Sequence, residues 1–112
     1  MEELLRRIKE FNKKRDWDRF HTPKNLVMGI SIETAEIMEH FIWLTPEESA
    51  HLPKGTGVKI KNEIGDVMIY LLNLCDKLGI DPIDAALEKL EMNELKYPAA
   101  KSKGKALKYT DL

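Results

Sequence analysis

Ile60, Ile64, Val67, Met68, Leu71, Leu72, Leu74, Cys75 and Leu78 recur at steps of three and four through VKIKNEIGDVMIYLLNLCDKL, a spacing that one side of a helix satisfies and a strand does not. This predicts a helix over about 57 to 78, stopped by Gly79. Three further segments share that period. The first, over about 2 to 14, carries Leu4, Leu5, Ile8 and Phe11 on one side. The second runs over about 23 to 44, with Thr22 as N-cap and Pro23 at its first position. The last opens at Asp81-Pro82 and closes at Tyr97-Pro98. No segment alternates convincingly with period two, so the expected fold is all-α, a four-helix bundle. Thr45-Pro46 and HLPKGTG break the pattern between the second and third helices, with a short turn possible at PEESA. The end, PAAKSKGKALKYTDL, lacks helical periodicity and holds four lysines. The expected organisation is a helical domain over 1–97 and a lysine-rich tail over 98–112 that packs on it.

A chain of 112 residues is near the lower end of what buries an independent core, which favours association between subunits. A net charge of -1 with 33% charged residues argues against DNA or RNA as partner but leaves free nucleotides open. There is no apolar run near the length of a membrane span, and MEELLRRIKEF is charged and helical, unlike a secretory signal. A cytoplasmic protein is expected. The single Cys75, set in LLNLCDKL, offers no intrachain disulfide and reads as a small core hydrophobe.

Two acid pairs interrupt this bland pattern. In the second helix Glu33 lies at the edge of the stripe Leu26, Ile30, Ile37, Phe41 and Leu44, and Glu36 sits one step further round. In the third helix Glu63, Asp66 and Tyr70 follow one another along the flank of Ile64, Val67, Met68, Leu71, Cys75 and Leu78. If the two helices form an antiparallel hairpin, the pairs lie about nine and about eight residues from its closed end, nearly level at ~1.5 Å per residue. Four carboxylates at one depth repel one another unless a cation belongs there, and an all-oxygen set suits a hard ion such as Mg2+. A di-iron centre would need Glu-x-x-His on two helices, whereas His40 is four after Glu36 and no histidine follows Asp66.

The pairs Glu33-x-x-Glu36 and Glu63-x-x-Asp66 resemble the metal-binding signature of the MazG-like all-α nucleoside triphosphate pyrophosphohydrolases. RDWDRFHTPKNL, FIW at 41 to 43, EIGDVMIYLL, KLEMNELKYP and KYTDL look like the dCTP pyrophosphatase branch of that family. The likeness covers nearly the whole chain. It implies hydrolysis of a deoxynucleoside triphosphate to monophosphate and pyrophosphate, with Mg2+ bound through Glu33, Glu36, Glu63 and Asp66 and with Glu36 or Glu63 taking the proton of the attacking water. It also implies that Trp17 and Trp43 flank the base, with His21 nearby, that Tyr70 meets sugar or phosphate, and that Lys89 and Asn93 face the nucleotide. Family members pack as dimers or as tetramers built from dimers, so a homotetramer is expected. One position departs from the pattern. Aligned through Trp17, Ile8 stands where vertebrate members carry a base-recognising histidine, and an isoleucine neither donates nor accepts a hydrogen bond.

Residue by residue, quieter readings stand beside these. Trp17 could cap the bundle instead of stacking on a base, Trp43 could serve a surface or subunit contact, and His21 could complete a turn. Tyr70 at a core margin and Lys89 with Asn93 on a helix face need no ligand to explain them. The rival functions are the same reaction on dUTP, dATP or a modified nucleotide, and a noncatalytic nucleotide-binding or oligomerisation module.

Overall fold

The computed structural model describes residues 1–112 as helices joined by turns, without a strand. The helices are α1 (Glu2–Lys14), α2 (Pro23–Glu39), α3 (Pro46–Ala50), α4 (Thr56–Leu78), α5 (Pro82–Lys96) and α6 (Ala99–Ser102), with single 3-10 turns at Asp18–Phe20 and Tyr109–Asp111. None is long and apolar enough to cross a membrane. Two compact units result, Met1–Gly79 and Ile80–Leu112.

Local chemistry explains most helix ends. The Thr22 hydroxyl accepts from the Asn25 N–H at 3.2 Å, and Pro23 occupies a first-turn position where a missing N–H costs nothing. At α3 Thr45 and Glu48 form a reciprocal capping box, which turns the expected bend at PEESA into a short helix. Gly79 ends α4 in the left-handed region at φ 65°, where a side chain would be strained. In the second unit the Asp81 carboxylate accepts from the N–H groups of Ile83 and Asp84 at the start of α5. There the tail folds back on the end of α5: Tyr97 meets Tyr109 edge to face at 6.1 Å, and Lys96 Nζ lies over the Tyr109 ring.

Two sequence expectations need correction. The second helix stops at Glu39, not near residue 44. Here the N–H groups of His40 and Phe41 bond three residues back, to Ile37 and Met38, so the winding tightens before Thr45, which the following proline holds extended. The core stripe of α4 is also displaced. Within the chain Leu72 and Ile60 are buried, whereas Ile64, Met68, Leu71 and Leu78, placed in the core by periodicity, are 53, 42, 40 and 52% exposed. A helix that is apolar around much of its surface gives no internal sign of which side its own chain will cover.

The first unit is held by α4. Its packing against α2 places Gly29 directly against the Tyr70 ring. α1 lies along the C-terminal half of α4, where Asn12 Nδ2 donates to Asn73 Oδ1 at 2.8 Å. Lys9–Asp76 at 3.3 Å, on the same side, is exposed and adds little. Leu26 and Leu72, at 0 and 1% exposure, with Ile8 and Ile60 make up the buried apolar core of the chain.

Candidate active site

The antiparallel run of α2 and α4 brings the acid pairs together. Glu33 is half-buried, and its carboxyl is held above the ordinary carboxylate range. Burial is the first cause, a proton shared with Glu36 the second, and the negative charges of Glu36, Asp66 and Glu63 complete the effect. Two carboxylate oxygens, Glu33 Oε2 and Glu63 Oε2, are buried without a hydrogen-bond partner. His40 Nε2 stands 2.8 Å from Glu63 Oε2, an ion-pair distance that lacks hydrogen-bond alignment.

These observations fit a divalent cation in their chemistry: oxygen donors in excess of positive charge, and buried lone pairs with nothing to accept. The side chains do not form a ready-made cage, since no three acid, histidine or cysteine groups are gathered closely enough to hold an ion. Closing on a cation would require rotamer changes at the carboxylates. Glutamates have the torsional freedom for this.

Beside the acids opens a cavity of about 230 Å³. Trp17, His21, Glu33, Asp66 and Tyr70 line it, so five of the expected site residues share one space. Trp17 is half exposed and braced edge-on by Phe11 at 5.5 Å. His21 Nδ1 is buried and unpartnered. Trp43 lies outside this lining, in the turn after α2, and is 88% exposed. Lys89, exposed, and Asn93, half-buried, are on α5 in the second unit. A cavity of about 290 Å³ walled by Leu4, Arg7, Ile8, Phe11 and Ile69 has more room but almost no polar group, so it is a poor host for chemistry. Ile8 belongs to that apolar space.

Sequence reading passed over three polar residues here. Asn12 and Asn73 are buried in the wall of the acid-lined cavity, at 6 and 8% exposure, and His40 touches Glu63. For the asparagines a signal existed: Asn12 falls one turn after Ile8, on the apolar side of its helix, and Asn73 interrupts the apolar run LLNL.

Gly29 gives this arrangement a sensitive point. A Cβ there would stand 2.8 Å from Tyr70 Cδ1 and 2.9 Å from Cζ, closer than atoms pack. The ring must move, because the α2 backbone is fixed by its own hydrogen bonds. In Gly29→Ala the gain in helix propensity, about 1 kcal/mol, offsets much of the strain. The expected outcome is a melting temperature within a few degrees of the parent and a raised KM for any ligand that Tyr70 contacts, read by thermal melts and steady-state kinetics.

Comparison with known proteins agrees with this fold. Residues 28–112 match the MazG-like family. Mouse (Mus musculus) dCTP pyrophosphatase 1 is 36% identical over all of this chain and 67% of its own length, and the human (Homo sapiens) protein of that name is 34% identical over the same shares. The crystal structure of a pyrophosphatase from Archaeoglobus fulgidus is 47% identical and superposes with a TM-score of 0.84, covering 88% of this chain and 92% of that one. By helices, acid spacing and similarity alike, the chain belongs to the MazG-like family.

Proposed function

We propose that this protein is a Mg2+-dependent pyrophosphohydrolase that converts a deoxynucleoside triphosphate, dCTP or a modified dCTP before others, to the monophosphate and pyrophosphate. The observation that carries this reading is the juxtaposition of Glu33 with Glu36, Glu63 and Asp66 beside a cavity walled by Trp17 and Tyr70. Its relatives named dCTP pyrophosphatase 1 support the substrate class. A homotetrameric assembly and a cytoplasmic role in cleaning the nucleotide pool complete the proposal.

Glu33, Glu36, Glu63 and Asp66 would hold the cation. When bound, it would neutralise phosphate charge and make a water more nucleophilic. Trp17 offers a ring face to the base, with His21 in the same cavity, and Trp43 is assigned the second flank. Tyr70 orients sugar or phosphate through its hydroxyl. Lys89 supplies positive charge for the polyphosphate, and Asn93, one turn on, a hydrogen bond. The proton leaving the water passes to the carboxylate of Glu36 or Glu63. Incubating the purified protein with each dNTP and NTP, with Mg2+ and with EDTA, and separating the products by chromatography tests the proposal. Metal-dependent monophosphate and pyrophosphate, strongest from dCTP, is the expected result; diphosphate with inorganic phosphate, or no product from any nucleotide, would refute it.

The raised Glu33 carboxyl predicts a pH effect with a definite sign. Its folded form binds a proton more tightly than the unfolded chain, so cation-free stability falls as pH rises from the ordinary carboxylate value through the raised one. Above that window the loss is complete. A bound cation needs the ionised form, so its stabilisation should be largest near neutral pH and fade on acidification. Melts with and without Mg2+ across pH 4 to 8 check this; a Mg2+ shift that grows as pH falls would contradict it.

A further inference from the structure

We propose that the buried amide pair Asn12 and Asn73 is the base-reading edge of the nucleotide cavity, hydrogen-bonding a base that presents a donor next to an acceptor, as cytosine does with its amino group and N3. This deepens the function proposed above and rests on it. Both side chains are more than nine-tenths buried, and both line the cavity that also holds Trp17, Tyr70, Glu33 and Asp66. The bond from Asn12 Nδ2 to Asn73 Oδ1, 2.8 Å, is the sole side-chain hydrogen bond either residue makes. Two primary amides carry several donors and acceptors between them, so one mutual bond leaves most of that capacity unspent. Two apolar residues would join α1 to α4 without that burden, since replacing both partners of a buried hydrogen bond by apolar groups is nearly neutral. A polar pair at a cavity wall is explained more fully by a ligand that uses its free ends.

The pair's orientation supports this. With Asn12 donating to Asn73, Asn12 Oδ1 remains as an acceptor and Asn73 Nδ2 as a donor. Turning both amides over together preserves the bond between them and exchanges the two roles, so a donor and an acceptor remain in either arrangement. That is the complement of the Watson–Crick edge of a pyrimidine. The backbone ties this edge to the aromatic wall as well. The Asn12 carbonyl accepts from the N–H groups of Trp17 at 3.0 Å and Arg15 at 3.3 Å, so the residue carrying the amide also anchors the turn that carries the Trp17 ring. Edge recognition and face stacking are thereby set by one short segment. It also supplies hydrogen bonds that Ile8, buried in the neighbouring apolar cavity, cannot.

The test compares dCTP with the triphosphate of 2-pyrimidinone deoxyriboside, which keeps N3 but lacks the amino group, using the whole protein with Mg2+. Wild type should show kcat/KM about 10- to 100-fold lower for the analogue. In Asn12→Leu/Asn73→Leu, which removes the partners of the amino group and of N3 alike, turnover of the analogue should fall and that of dCTP should fall further, to the same level, the ratio approaching 1. If that variant does not fold, Asn12→Ala, which removes the acceptor that faces the amino group, takes its place in the same comparison. A wild type indifferent to the amino group, or a folded variant that keeps the wild-type ratio, overturns the assignment while leaving the pyrophosphohydrolase reading intact. No turnover of any dNTP by wild type removes both.

Discussion

Glu33→Gln is expected to lower turnover at least about 100-fold while raising thermal stability. The two effects have one origin. Burial and three neighbouring acids hold the Glu33 carboxyl above its ordinary range, so its ionised form is unfavourable in the cation-free protein, and a neutral amide of nearly the same shape removes that penalty. The same amide is a poor ligand for a hard cation, whose charge the carboxylate is there to balance. A residue retained only for packing would behave differently: its replacement would alter melting without touching chemistry. Melting and steady-state kinetics on one preparation separate the cases. A variant that is both more stable and inactive would show the trade of stability for function common at active sites. Unchanged turnover would remove Glu33 from the proposed cation site.

The second large effect concerns the outer side of α4. Ile64, Met68, Leu71 and Leu78 form an apolar stripe left 53, 42, 40 and 52% exposed, on a chain whose fully buried side chains are Leu26 and Leu72. On α2, Val27, Met28, Ile32 and Met38 are exposed to a similar degree. So small a core under so much uncovered apolar surface is what a subunit of a larger assembly presents. If the proposed homotetramer buries the α4 stripe, Met68→Glu with Leu71→Glu would place two unpaired charges in the contact. Association should then weaken by at least about 100-fold, read by sedimentation at micromolar concentration, with a lower melting temperature. Wild-type protein that sediments as a monomer would contradict the assembly itself.

These two cases also show where the sequence was legible. The start of α2, the end of α4 and the start of α5 follow from caps and stops that act locally: the side-chain oxygens of Thr22 and Asp81 accept from nearby N–H groups, and Gly79 takes the left-handed conformation its lack of a side chain permits. The shortened end of α2 was harder to foresee because Phe41 and Leu44 continue the apolar period while the backbone has already left the α-helical pattern. The α4 stripe was misassigned because periodicity reports that a side is apolar, not whether its cover comes from the same chain. The acids were read more securely. Two Glu/Asp pairs three residues apart, at matched depth, predict electrostatic contact, and Glu33 responds to the charges of Glu36, Asp66 and Glu63. By contrast, the contacts of Asn12 with Asn73 and of His40 with Glu63 depend on which helix lies opposite, information that a single helical projection lacks.

The most direct test of the central claim is to measure divalent-cation binding and dCTP hydrolysis together, in wild type and in Glu33→Gln and Glu63→Gln, with Mn2+ as the spectroscopic stand-in for Mg2+. We predict that wild type binds the cation and hydrolyses dCTP only in its presence, and that each substitution weakens binding and turnover in step. Hydrolysis that persists in EDTA, or cation binding undiminished by both substitutions, would contradict the account.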